Sequence, residues 1–108
     1  MARYLFLVMA NAVAGCDEVL NKWYDEVHVN EMLSVPSVCS ARRYRLAGTP
    51  AGGEGRFLTL YEVESDDLAQ VQAELLERGA QFHMSDAFDH ATAMVVWYEP
   101  LGPAVESS

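Results

Sequence analysis

Two segments of this chain are apolar on both faces of the strand that each would form. Tyr4-Leu5-Phe6-Leu7-Val8-Met9 fills most of residues 3–10, and residues 93–98 read Ala-Met-Val-Val-Trp-Tyr. Successive side chains on a strand point to opposite faces, so an unbroken apolar run needs cover on two sides. Any fold open to this chain has to supply that second cover.

The length allows little choice in how. At 108 residues the chain is one domain, too short for a Rossmann-type dehydrogenase, a kinase or a TIM barrel. Asn11 to Gly15 reads as a loop. From Asp17, Val19, Leu20, Trp23, Tyr24, Val27 and Met32 recur at helical spacing, with Asp17, Glu18, Asn21, Lys22, Asp25 and Glu26 on the outer face. Pro36 stops this helix, because the residue before a proline is pushed out of the α region. Val38 to Leu46 alternates as a strand, with Val38, Ser40, Arg42, Tyr44 and Leu46 on one face and Cys39, Ala41, Arg43 and Arg45 on the other. Ala47 to Gly55 is a hairpin loop, and Phe57 to Val63 is a third strand. Ser65-Asp66-Asp67 offers helix-capping side chains, and Leu68, Val71, Leu75 and Leu76 give a second helix its apolar stripe, ended by Gly79. Ala80 to Ala91 is irregular, Thr92 to Glu99 is the fourth strand, and residues 102–108 form a polar tail beyond a single domain of residues 1–101.

The order is β-α-β-β-α-β, an α+β arrangement of the ferredoxin-like type with a four-stranded antiparallel sheet. Two helices cover only one sheet face. The other would be a large exposed apolar patch, which soluble monomers rarely carry. A second copy, packed sheet to sheet about a two-fold axis, removes the conflict, so a homodimer is expected.

Composition narrows the function classes. Sixteen acids against seven bases give a formal charge of −9, which repels phosphate backbones and argues against nucleic acid as a partner. Cys16 and Cys39 lack the spacing of a zinc or redox pair, and a reduced cytoplasm is the expected compartment. Met1-Ala2-Arg3 with the apolar run behind it does resemble a secretory leader, and Val13-Ala14-Gly15-Cys16 a lipoprotein cleavage box. With one cation in front and a helix starting almost at Cys16, the strand reading is preferred. No apolar run approaches the ~20 residues that cross a bilayer, so no membrane partner is expected. Gly52-Gly53-Glu54-Gly55 is no phosphate cradle, since neither a helix nor a Lys-Ser/Thr pair follows it.

Trp23-Tyr24-x-x-x-His28-x-x-Glu31-Met32-x-x-x-Pro36, Ala41-Arg42-Arg43-Tyr44 and Tyr61-Glu62-Val63 resemble the dimeric α/β-barrel superfamily, in particular its EthD-like branch and related small proteins of unassigned function. The resemblance implies a homodimer with a pocket in each protomer between sheet and helices. Members include polyketide cyclases, muconolactone isomerases, a hydroxynitrile lyase, cofactor-free monooxygenases and haem enzymes, so the fold leaves the reaction open. The haem members are generally longer, and no cofactor is expected here.

Tyr24, His28 and Glu31 fall on one side of an α-helix, beside the stripe of Leu20, Trp23 and Val27. A phenol, an imidazole and a carboxylate edging an apolar groove can move protons. The plain alternative has His28 capping a helix end and Glu31 pointing to water. The loop from Gln81 to His90 offers His83 or His90 as a second proton carrier, with Asp86 and Phe88 near the pocket mouth. Its His and Asp spacing matches no metal-ligand pattern, and no metal is expected. Arg43 could hold a substrate carboxylate or phenolate, or serve only to charge an edge strand. Trp23 and Tyr61 complete the candidate substrate-binding set with Glu31.

The expected function is a cofactor-independent enzyme performing acid/base chemistry (cyclisation, isomerisation or lyase-type) on a small apolar or aromatic oxygenated molecule. His28 is the primary acid/base and Tyr24 a hydrogen-bond donor. The alternatives are a cofactor-free monooxygenase and a non-catalytic binding or accessory protein of an oxygenase or degradation pathway.

Overall fold

The computed structural model describes residues 2–48 and 56–107; the Gly52–Gly55 segment lies outside the described residues. Strands β1 (Ala2–Ala10), β2 (Val38–Arg45), β3 (Phe57–Ser65) and β4 (Met94–Tyr98) form one antiparallel sheet in the order β2-β3-β1-β4. Helix α1 (Asp17–Trp23) runs into a π-helical segment, Tyr24–His28, and then into α2 (Val29–Leu33); α3 (Leu68–Gly79) stands alone. This is the ferredoxin-like α+β fold.

The elements form for local reasons. Asp17 and Glu18 sit in the first turn of α1, where carboxylates suit the helix dipole. At the start of α3, Asp67 Oδ1 accepts a hydrogen bond from Gln70 N–H at 3.2 Å, the cap expected from Ser65-Asp66-Asp67. Central β1 pairs with β3 along its whole length and with β4 from Leu5 to Met9, which fixes its register from both sides. Thr92 is not in β4: it lies in a turn, where its hydroxyl accepts from Asn11 N–H.

Alternation on β1 separates two surfaces. Tyr4, Phe6 and Val8 pack toward the helices, against a core of Met32, Val35, Val38, Tyr61, Val63 and Val71. Leu5, Leu7 and Met9 turn the other way. They pair with Glu62, Leu60 and Leu58 on β3 and with Tyr98, Val96 and Met94 on β4. Among the described residues no helix covers this face, and Met94 and Tyr98 are 56% and 59% exposed.

Three expectations need correction. The face assigned to Val38 is wrong, because a bulge between Val38 and Ser40 inserts Cys39 as an extra residue. Val38 thereby joins Ala41 and Arg43 on the helix-facing side, buried against Val63. Val19 and Leu76 do not join the buried stripes, being 58% and 81% exposed. Each lies about 100° around its helix from a residue that is covered, Leu20 or Leu75. The first helix is also not uniformly α, which matters for the site below. Among the described residues no helix is long and apolar enough to cross a membrane.

Candidate functional site

A cavity of about 210 Å³ lies between the sheet and the helices. Phe6, Val8 and Val95 form its sheet wall, and Leu75 and Gly79 of α3 close one side. Opposite them are Trp23, Tyr24, His28 and Met32, while Phe82, Met84 and Phe88 of the loop after α3 form a cap. The lining is aromatic and aliphatic, with one imidazole exposed to it.

The π segment sets the position of that imidazole. Val29 N–H bonds to Tyr24 C=O, five residues back, so the turn is wider than an α-helical one and residues i and i+5 lie closer together around the axis. Trp23 and His28 therefore stack, with ring centroids 4.5 Å apart and planes 17° from parallel. Tyr24 and Phe82 approach the same imidazole edge-on at 5.3 and 6.0 Å. Burial among these rings disfavours the imidazolium and pulls the His28 pKa below its ordinary value, although Glu31 works in the opposite direction.

Glu31 stands behind His28 and is shared. Its Oε1 is 3.5 Å from His28 Nδ1, beyond a formed hydrogen bond. Its Oε2 accepts from His83 N–H at 2.8 Å and meets His83 Nδ1 at 3.0 Å. Burial alone would raise the Glu31 pKa; the hydrogen bonds from His83 and the contact with His28 outweigh it, and the net shift is downward. Trp23 Nε1–H donates to His83 C=O at 2.7 Å, so the loop is fastened to the two residues that flank His28.

Tyr24 is buried and its ring lines the cavity, but its hydroxyl bonds to Thr59 on β3. Burial raises its pKa, with Thr59 and Arg43 opposing. This geometry does not present Tyr24 as a hydrogen-bond donor to a ligand in the cavity. Arg43 lies over the face of the Tyr24 ring, 4.0 Å from its centroid. It donates from Nε to Thr59 Oγ1 at 3.1 Å and from a terminal nitrogen to Asn21 Oδ1 at 3.0 Å, and it borders a separate surface depression.

The other candidates divide. Trp23 and Phe88 line the cavity as expected. His83 touches Glu31, but its side chain is 85% exposed and absent from the lining. His90 is exposed, packs edge-on against Phe88 at 4.8 Å and does not reach the cavity; Asp86 is exposed outside the lining. Tyr61 is fully buried against Phe6 rather than in the cavity lining, and burial drives its pKa strongly upward. Sequence reasoning missed Phe82 and Met84 as cavity residues. The available signal was two large apolar side chains in an otherwise polar irregular segment. Among the described residues, no cluster of three or more His, Cys, Asp or Glu could hold a metal.

No family model matches the chain, and no curated protein is similar to it in sequence. Solved structures are similar in fold. One is the haem degrader MhuD from Mycobacterium tuberculosis, with two haems bound in its active site, at a TM-score of 0.64 and 17% identity over 94% of this chain and 99% of that one. Another is an ethyl tert-butyl ether D (EthD) family protein from Bacillus halodurans, at a TM-score of 0.59 and 18% identity over 94% of this chain and 100% of that one. The resemblance to EthD-like proteins noted in the sequence therefore extends to the fold of the whole domain.

Proposed function

We propose that this protein binds a small apolar molecule in the cavity beside His28 and removes a proton from it, with the His28 imidazole as general base. The observation that carries this reading is the environment of His28: an imidazole at the wall of an apolar cavity, where burial disfavours its charged form, with the Glu31 carboxylate behind it. With Nδ1 turned toward Glu31, Nε2 is the nitrogen left for a ligand. A proton passes from the ligand's acidic C–H or O–H to Nε2, and the bonding electron pair stays on the ligand. The imidazolium that forms carries its Nδ1–H toward Glu31, and the 3.5 Å gap shortens as charge develops, as catalytic contacts often do only once a ligand is bound.

The size supports a ligand smaller than most drugs, whose pockets run from about 300 to 1,000 Å³. The two haems are MhuD's, and because that chain is matched over 99% of its length by 94% of this one, length does not separate this protein from haem-binding relatives of the fold. The reading extends to a second copy packed on the uncovered sheet face, supported by the apolar row of Leu5, Leu7 and Met9 with its β4 neighbours.

A carbon acid that fits the cavity tests the chemistry without knowledge of the natural substrate. In D2O, the protein should speed deuterium exchange at the α-carbon of 2-tetralone, followed by NMR. His28→Gln should lose about 10²-fold or more of that rate. Equal rates for the two proteins would sink the proposal. Oxygen uptake in the same solution separates an oxygenase from an isomerase or lyase, because only the former consumes it.

A further inference from the structure

The charges around the cavity point to a selection rule. We propose that the site takes neutral acids and rejects carboxylates, so that its ligand enters uncharged and acquires negative charge only by giving its proton to His28. This deepens the proposed function and rests on the same cavity being the binding site.

The argument is a census of cations. The chain has seven Lys and Arg residues. Arg3, Arg56 and Arg78 are paired with Glu62, Asp17 and Glu74. Arg42 lies over the ring of Tyr44, on the opposite sheet face from the cavity. Lys22 and Arg45 are exposed and line no part of it. Arg43 is the candidate for holding an anion, and its guanidinium is already engaged by Thr59, Asn21 and Asp25 over the face of Tyr24. Residues 49–55, outside the described set, contain no Lys or Arg in their sequence.

A carboxylate entering the cavity therefore meets an apolar wall, with no cation among the lining residues. Burying an unpaired charge in such surroundings is costly. A carboxylate stands behind the imidazole: Glu31, with its side chain 16% exposed, is 3.5 Å from His28 Nδ1. Arg43, the cation whose charge also reaches His28, is held over the ring of Tyr24 and lines no part of the cavity. Like charges set close together in a binding site act against the wrong partner. A neutral O–H or C–H acid meets neither obstacle and finds an acceptor in the imidazole.

Matched probes test the rule. 2-Naphthol and 2-naphthoate share one ring system and differ in charge at neutral pH. Titration calorimetry should show 2-naphthol binding, with 2-naphthoate at least about 100-fold weaker. Met84→Arg, which puts a cation into the lining at a half-exposed position, should narrow that gap by raising naphthoate affinity. If naphthoate displaces naphthol from the wild-type protein at comparable affinity, the rule is overturned while the cavity reading stands. If naphthol itself does not bind, both fall.

Discussion

The imidazole of His28 lies nearly parallel to the indole of Trp23, five residues earlier in the chain, at 4.5 Å. Regular α-helical winding would set these side chains about 140° apart around the axis. The extra residue in the Tyr24–His28 turn brings them into register, and the stack holds the imidazole at the cavity wall. The π turn thus determines where the proposed base points.

Glu31→Gln should lower the His28 pKa further, because the carboxylate is the group that works against burial there. Histidine side-chain NMR titration measures this directly. The same substitution weakens the bonds that hold His83, so a stability loss of about 1 kcal/mol is expected from the melting temperature.

Acid should destabilise the protein in two stages. The folded state holds His28 below its ordinary pKa, so the unfolded chain takes up that proton first as pH falls below 6.5. Stability decreases from there down to the folded pKa. Glu31 is also lowered in the folded state, and its contribution is lost as pH falls from 4.5 through that lowered value. Melting curves for His28→Gln should lack the first decline and keep the second. Identical pH dependence in the two proteins would contradict the assignment.

Gly79 ends α3 at the cavity, and a Cβ built on it meets nothing within 4 Å. Gly79→Ala should raise stability by about 0.5–1 kcal/mol, since glycine is a poor helix residue. Gly79→Leu should fold as well and project its side chain into the free volume, cutting 2-naphthol affinity at least 10-fold. Unchanged affinity in a folded Gly79→Leu protein would place the ligand elsewhere.

Leu7 faces away from the helices, between Leu60 and Val96. If a second copy covers this face, the wild type should sediment at twice its 12.0 kDa chain mass. Leu7→Asp should shift it to the monomer or unfold it, because the new carboxylate is buried without a partner. A wild-type monomer at micromolar concentration would remove the case for a dimer.

The sequence carried the element order and the antiparallel sheet, because period-2 and helical spacing each leave a pattern in one dimension. It also carried the pairing of His28 with Glu31, three residues apart on one helical run. The Cys39 bulge and the π turn were not legible. Each adds one residue locally without changing composition, and each redirects every side chain beyond it, which is why Val38 was placed on the wrong face. The contact of Glu31 with His83 spans 52 positions and depends on how the loop folds back. The sequence left Arg43 open between holding a ligand anion and charging an edge strand, because nothing in its own strand reveals that Thr59 and Asn21 claim it.

The two-sided role of β1 has a consequence for how this chain can change. Phe6 and Val8 wall the cavity; Leu5, Leu7 and Met9, interleaved with them, lie on the sheet face away from the helices. The cavity wall and the uncovered sheet face are thus written into alternate letters of one short segment and can drift separately, one substitution at a time. An insertion or deletion of a single residue there has no such freedom. It would exchange the two sets at once, putting outward-facing side chains into the cavity and cavity walls onto the outside.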